Sequence, residues 1–371
     1  MTVKIIALMP VRNEAWIIER TLRILATFCD HILVADQRST DGTRQILKKF
    51  PKKITVIDNP DVYWSDRIRG RLLDIARGFD GNNFIVYMDA DEIVTSNIRE
   101  DSILDHVVGM KPGNGIRVPL INLWKSPLFY RDDSSNWSND SVVIGFRDDR
   151  TSKYTYRSVG LHQGRIPQNI PSRFFGDVKL LHYQFVLFDR KRSKERWYRV
   201  LEALQLGSAH FAAINYSYRQ ARDEREVRLS PLDPRWTAGW RALGVDLDHF
   251  EAEPFYWYDV EVLRYLGERG VAYFAPLDIW DVNWEAKRQL ALARGFEGIP
   301  QEAIVDPRSR EQKLYHAYLA RFQHNPFWRE PGELLHIADR GLKRLAKGLG
   351  LRRHHLEQWG LLKPRGAGGG D

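Results

Sequence analysis

Four short apolar runs, separated by polar and helix-spaced segments, set the pattern of the N-terminal part of this chain. Lys4 to Val11 reads as a buried strand ended by Pro10, and Trp16 to Leu25 carries apolar positions at helical spacing. His31 to Asp36 is a second strand, Ile54 to Asp58 a third, and Phe84 to Asp89 a fourth. Gln37 to Thr43 is turn chemistry, with Thr40 or Asp41 placed to cap a helix through Leu47; Arg67 to Arg77 reads as a helix of mixed polarity. Strands alternating with helices predict an α/β fold, a mainly parallel sheet with right-handed crossovers. Ligands of such sheets bind at the carboxyl ends of the strands, where Arg12, Asp36 and Asp89 all fall.

The fourth run is the informative one. It ends in Asp89-Ala90-Asp91-Glu92, and residues two apart on a strand share a side. Hard divalent cations prefer carboxylate and phosphate oxygens, so Asp-x-Asp at a strand tip suits a Mg2+ or Mn2+ diphosphate site. The plainer reading of the same residues is a solvated turn. No G-x-G-x-x-G follows the first strand and no Walker motif occurs, which argues against dehydrogenases and kinases.

Further along, Ile116 to Leu120 reads as a strand. Tyr130-Arg131-Asp132-Asp133 and Trp137 then lie in a polar stretch too long for a tight turn, as expected of a functional loop. From Arg190 the character changes. A charged helix begins at Lys191, 196–225 reads as helical throughout, and 229–284 gathers Trp236, Trp240, Phe255, Tyr256, Trp257, Tyr258, Trp280 and Trp284. Such rings stack on sugars, but more often they form a core. Leu335, Leu342, Leu345 and Leu349 recur near helical spacing, with Arg340, Lys343, Arg344, Lys347, Arg352 and Arg353 on the other face. Two readings stay open for 334–353: a helix lying on an anionic membrane, or leucines packed on the catalytic domain below a solvated basic face.

Length and charge narrow the picture. A chain of 371 residues holds two domains, or one with a large extension, and its single cysteine, Cys29, excludes an intrachain disulfide. The first residues run directly into a short strand, with no signal-peptide pattern, and no run approaches the roughly 18 apolar residues of a membrane span. A cytoplasmic protein is therefore expected, in peripheral contact with the inner face of the membrane if the basic helix lies there. The net charge of +8 favours anionic partners such as nucleotide phosphates. Basic residues are interleaved with acids rather than gathered in a stripe, which argues against nucleic acid.

Met9 to Glu14, Val34 to Thr43 and Met88 to Glu92 together, in this order and spacing, resemble the three N-terminal signatures of family 2 glycosyltransferases. The resemblance covers about residues 3–95 and extends more weakly to 190. It implies a Rossmann-like GT-A fold over 1–190, with a nucleotide-sugar half (1–95) and an acceptor half (96–190); beyond it, the residue pattern predicts a mainly helical region over 191–371. The resemblance also implies inverting, metal-assisted transfer of a sugar from a nucleoside diphosphate to a hydroxyl of a glycan or lipid-linked glycan.

By position, the resemblance implies that Pro10, Arg12, Asn13 and Glu14 line the nucleotide pocket and that Asp36 accepts from the base or ribose. Asp89 would face the ribose or sugar, Asp91 would hold Mn2+ or Mg2+ beside Asp89, and Arg69 would contact the diphosphate or the donor sugar. Gly145 to Asp148 and Gly160-Leu161-His162-Gln163-Gly164 resemble segments of lipopolysaccharide-type relatives, with Gln163 standing where they carry an acid. Leu180-Leu181-His182-Tyr183 resembles their closing His-Tyr, which makes His182 a metal or diphosphate ligand or else a structural histidine. An inverting displacement needs a base for the acceptor hydroxyl. Glu100-Asp101 comes too early, so Asp133 is the first expectation and Asp140 the second. The alternatives are a nucleotidyltransferase, or a non-catalytic nucleotide- or nucleic-acid-binding protein.

Overall fold

The runs at 5–11, 31–36 and 84–87 become strands whose alternate side chains enter two different cores, whereas the edge run at 54–58 buries only Ile54. The computed structural model describes residues 3–59, 66–100, 103–133, 138, 140–159, 162–218 and 227–322. Its strands are β1 (Ile5–Val11), β2 (His31–Asp36), β3 (Ile54–Asp58), β4 (Phe84–Tyr87), β5 (Glu92–Val94), β6 (Gly115–Asn122), β7 (Phe129–Arg131), β8 (Ser141–Arg147), β9 (Tyr156–Val159), β10 (His162–Pro167), β11 (Ser172–Phe174), β12 (Leu180–His182) and β13 (Leu229–Pro231). Its helices are α1 (Ile18–Phe28), α2 (Thr43–Leu47), α3 (Asp66–Ala76), α4 (Ile103–Gly109), α5 (Phe188–Leu206), α6 (Phe211–Ser217), α7 (Arg235–Ala242), α8 (Trp257–Arg269), α9 (Trp284–Ala293) and α10 (Arg310–Phe322).

On β1, Ile6 and Leu8 pack with Leu33, Ile68, Leu72, Ile85 and Tyr87 beneath α3. Ala7, Met9 and Val11 point the other way, towards Leu22, Leu25, Val34 and Met88 beneath α1. A strand covered on both faces must be apolar throughout, which is why the run shows no alternation in the sequence.

The main sheet runs β3-β2-β1-β4-β8-β6-β12-β5, with β11 beside β6. β1 pairs in parallel with β2 and β4, and β2 with β3. β8 is antiparallel to both β4 and β6, so the sheet is mainly but not wholly parallel. A Cβ at Gly145 would collide with the Ile85 carbonyl and the Phe84 ring, so glycine there lets β8 lie against β4. Strand order reverses between β1 and β4, and in open α/β sheets such a switch point is where the ligand crevice lies, at the carboxyl ends of the strands.

The chain divides into two compact units, Met1–Ser193 with Val227–Trp257 and Lys194–Glu226 with Tyr258–Asp371. In the first, Trp240 is fully buried and its Nε1 donates to the Val94 carbonyl at 2.7 Å. In the second, Trp197, Tyr258, Phe274 and Trp284 are buried, so the aromatic residues singled out in the sequence serve largely as core. The helix expected over 196–225 is interrupted at Gly207, whose φ of 84° ends α5 before α6 begins. The basic helix expected over 334–353 lies outside the described residues, as do Asp101 and Trp137. Among the described residues no helix is long and apolar enough to cross a membrane.

Candidate functional site

The loops after β1 and β2 are tied to each other. Asn13 is held at φ 55°, in the left-handed region that non-glycine residues adopt rarely. Its Oδ1 accepts the Thr40 amide at 2.7 Å and its own amide donates to Ser39 Oγ at 2.9 Å. The Glu14 amide donates to Thr43 Oγ1 at 2.9 Å, while Glu14 Oε2 accepts from Trp16 Nε1 at 2.6 Å and Arg190 Nη2 at 2.9 Å. Arg12 places its guanidinium 4.4 Å over the Trp257 ring, and Pro10 is buried in register with Ala35. The first residue of α2 is preceded by Gly42 at φ 97°, and Asp41 Oδ1 accepts the Thr43 amide at 3.0 Å. The N-cap is thus Gly42, without a side-chain cap, rather than the expected Thr40 or Asp41, because the chain enters the helix through a left-handed residue that glycine adopts readily.

Asp36 ends β2 with no exposed surface. Its Oδ2 accepts from Arg44 Nε and, at 3.3 Å, from the Ser39 amide. Its Oδ1 is buried and has no hydrogen-bond partner among the described residues. A desolvated carboxylate oxygen without a donor is unfavourable, and a ligand N–H or O–H relieves it.

At the tip of β4, Asp89 Oδ1 accepts from Arg69 Nη2 at 3.1 Å, while Arg69 Nε is buried without a partner among the described residues. Burial alone would raise the Asp89 pKa; the charges of Arg69 and Arg165 outweigh it and bring it down to about 2. Asp91 is nearly buried, and its Oδ2 lies 3.8 Å from His182 Nε2. β12 runs antiparallel to β5 and pairs His182 with Glu92, which is how two distant segments meet there.

His182 Nδ1 lies 3.0 Å from Asn122 Oδ1 and 3.2 Å from Gln184 Nε2. In the tautomer that donates Nδ1–H to Asn122, Nε2 keeps its lone pair for a ligand on the Asp91 side. Burial outweighs the neighbouring carboxylates and pushes the imidazole pKa down, which favours a neutral ring in either tautomer. The 3.8 Å gap is wider than a hydrogen bond, and Asp91 and His182 are the two side chains here that would hold a divalent cation. Among the described residues no three His, Cys, Asp or Glu side chains gather to hold a metal on their own. Two protein ligands with the rest from phosphate and water is the usual provision for Mg2+ and its like.

The expected bases lie between β7 and β8. Asp133 Oδ2 accepts from Arg131 Nε and its Oδ1 from Ser138 Oγ at 3.1 Å, with both charged side chains nearly buried. Asp140 is exposed; its Oδ1 accepts the Ser141 amide at 2.7 Å, and its Oδ2 makes no hydrogen bond among the described residues. Arg44, Glu92, Arg165 and Arg190 were not singled out by sequence reasoning. Glu92 was visible as the third acid of the strand tip, whereas the arginines carry no local signal.

Comparison with known proteins gives residues 6–100 a match to the family described as glycosyl transferase family 2. Uncharacterized proteins of Mycobacterium tuberculosis and Mycobacterium bovis are 28% identical over 134 residues, covering 33% of this chain and 31% of theirs. Among solved structures, mannosyl-3-phosphoglycerate synthase from Rubrobacter xylanophilus is similar at 21% identity and a TM-score of 0.24, over 33% of this chain and 41% of that one. Glucosyl-3-phosphoglycerate synthase from Mycobacterium tuberculosis, in complex with Mn2+ and UDP-glucose, is similar at 17% identity and a TM-score of 0.24, over 32% and 44%. The chain thus spans about a third of the length of the curated relatives it matches, and less than half of these structures.

Proposed function

We propose that this chain, whose residues 6–100 carry the glycosyl transferase family 2 match, moves a sugar from a nucleoside diphosphate to a hydroxyl acceptor with the help of a divalent cation. The observation that carries the reading is Asp91 facing His182 across 3.8 Å, beside Arg69, at the switch point of the sheet. In this proposal Asp36 Oδ1 accepts from the base or ribose, while Pro10, Arg12, Asn13 and Glu14 wall the pocket. Asp89 orients the ribose or sugar next to the ion, and Arg69 meets the diphosphate. Asp91 and His182 would hold Mn2+ or Mg2+, which when bound neutralises charge developing on the leaving diphosphate.

Inversion further requires a carboxylate that takes the acceptor proton on the face opposite the leaving group. Asp140, with an oxygen at liberty, suits that task better than Asp133, whose two oxygens are engaged by Arg131 and Ser138. The acceptor class in this reading is a glycan or lipid-linked glycan.

The test is titration calorimetry with UDP, GDP, CDP and ADP, each with Mn2+ and with EDTA. One of the four is expected to bind clearly tighter with Mn2+. Equal affinity in EDTA would remove the metal from the proposal, and no binding of any of them would remove the proposal itself. Thermal shift is a parallel readout, since ligand at a hundred times its Kd adds about 2.7 kcal/mol.

A further inference from the structure

Arg165 reaches the strand-tip carboxylates from outside the main sheet. It lies on β10, in the separate two-stranded β9–β10 hairpin. Its guanidinium clasps Glu92 with two parallel bonds, Nη1 to Oε2 and Nη2 to Oε1, and Nη1 also points to the Tyr87 carbonyl at 3.4 Å. Glu92 is fully buried, and its Oε2 accepts the Asp89 amide at 2.9 Å. The Arg165 carbonyl in turn accepts from Arg69 Nη1 at 3.4 Å, and Arg69 Nη2 donates to Asp89 Oδ1. These bonds close a ring. It leaves Asp89 by its carboxylate, passes through Arg69, Arg165 and Glu92, and returns to the Asp89 amide. The hairpin has a second anchor, since the Tyr156 and Tyr87 hydroxyls lie 2.6 Å apart.

Stability alone does not call for such a ring. A buried ion pair is often no better for stability than apolar side chains of the same volume. What the ring does is constrain a short turn at both ends. The Asp89 carboxylate and amide are each held, and Glu92 is fixed in register with His182. The gap between Asp91 and His182 lies within that frame.

We propose that Arg165 is a positioning residue: through Glu92 it sets the Asp89–Asp91 turn against His182, and thereby how tightly a divalent cation and a nucleoside diphosphate are held together. This rests on the donor-site reading given above. Arg165 need not touch either ligand. Its fork geometry matters as well as its charge, because lysine supplies the charge without the two parallel bonds.

Three proteins test this: wild type, Arg165→Lys, and the double variant Glu92→Gln/Arg165→Met, which leaves no buried charge unmatched. The nucleotide that binds wild type best is titrated at increasing Mn2+, and amide hydrogen exchange is followed at Asp89 to Glu92 and along β1. Arg165→Lys is expected to raise the Mn2+ concentration for half-maximal nucleotide binding by about tenfold or more, the usual effect of losing a supporting partner of a ligand. Exchange at Asp89 to Glu92 is expected to quicken while β1 stays as slow as in wild type. The double variant is expected to keep a near-native Tm and yet retain the raised Mn2+ requirement.

A merely structural pair behaves differently: the double variant would recover both Tm and the wild-type Mn2+ requirement, and that result overturns the proposal. Unchanged exchange and unchanged Mn2+ dependence in Arg165→Lys overturn it as well. If wild type binds no nucleotide at any Mn2+ concentration, the donor-site reading has failed instead. The exchange comparison still decides whether Arg165 sets the turn.

Discussion

Buried charge is handled in two ways in this molecule. In the unit of residues 194–226 and 258–371, Arg196 meets Asp281 through two bonds of 2.7 and 2.8 Å. There, too, Lys287 meets the fully buried Asp259 at 2.8 Å, and Arg288 meets Glu285. At the carboxyl ends of β2 and β4, Asp36 Oδ1 and Arg69 Nε are buried and make no hydrogen bond among the described residues. The Lys287–Asp259 pair joins α9 to α8, and charges matched in this way ask nothing further. A desolvated donor or acceptor left open inside a crevice is unfavourable by itself, and the most direct use for it is a ligand.

The contrast is broken most severely at Asp91. Asp91→Asn is expected to lower Mn2+-dependent sugar-nucleotide turnover roughly 1,000-fold, with the denaturation midpoint unchanged. Near-normal turnover would move the cation elsewhere. Asp140→Asn is expected to reduce transfer by about 100-fold or more with nucleotide affinity intact. Loss in Asp133→Asn alone, at native stability, would transfer the role of base to Asp133.

The matched side of the comparison is sharpened by Lys287→Met. Removing the ammonium that meets the buried Asp259 carboxylate is expected to destabilise by about 3–5 kcal/mol, read from urea denaturation. Nucleotide affinity of the folded protein should not change.

The smallest expected effect is a titration. The folded pKa of Asp89, about 2, lies below the ordinary aspartate value near 3.9. Its charged form therefore stabilises the fold fully above about pH 4, and that contribution fades as pH falls through about 2. In Arg69→Met the Asp89 carboxyl is expected to titrate at higher pH. NMR of the carboxyl carbon would show this, and an unmoved midpoint would remove Arg69 as a cause.

Much of the strand-end site is legible in the sequence because it is local. A strand that is apolar on both faces and then abruptly acidic announces its own carboxyl end, as Phe84 to Glu92 and His31 to Asp36 do. Asp36 is likewise fixed by nearby Ser39 and Arg44, whereas Asn13 is held by Ser39 and Thr40, 26 and 27 residues further on. Arg165 and Arg190 were not legible, since each acts on an acid far away in the chain, Glu92 and Glu14, and nothing beside either arginine marks it. Asp133 illustrates the reverse. In sequence it is an acid in a polar loop, while in the fold Arg131, two residues earlier, claims one of its oxygens. The antiparallel β8 also escaped the sequence, because a buried run carries no sign of its direction.

The pairing of β12 with β5 has a consequence for folding kinetics. His182 reaches Glu92 across a long stretch of intervening chain, and contacts between such distant segments carry a large loop-closure entropy and form late. An ion held between Asp91 and His182 would then be absent from the folding transition state. In stopped-flow experiments Mn2+ should slow unfolding and leave the refolding rate almost untouched, so that the ion acts as a latch on the finished fold.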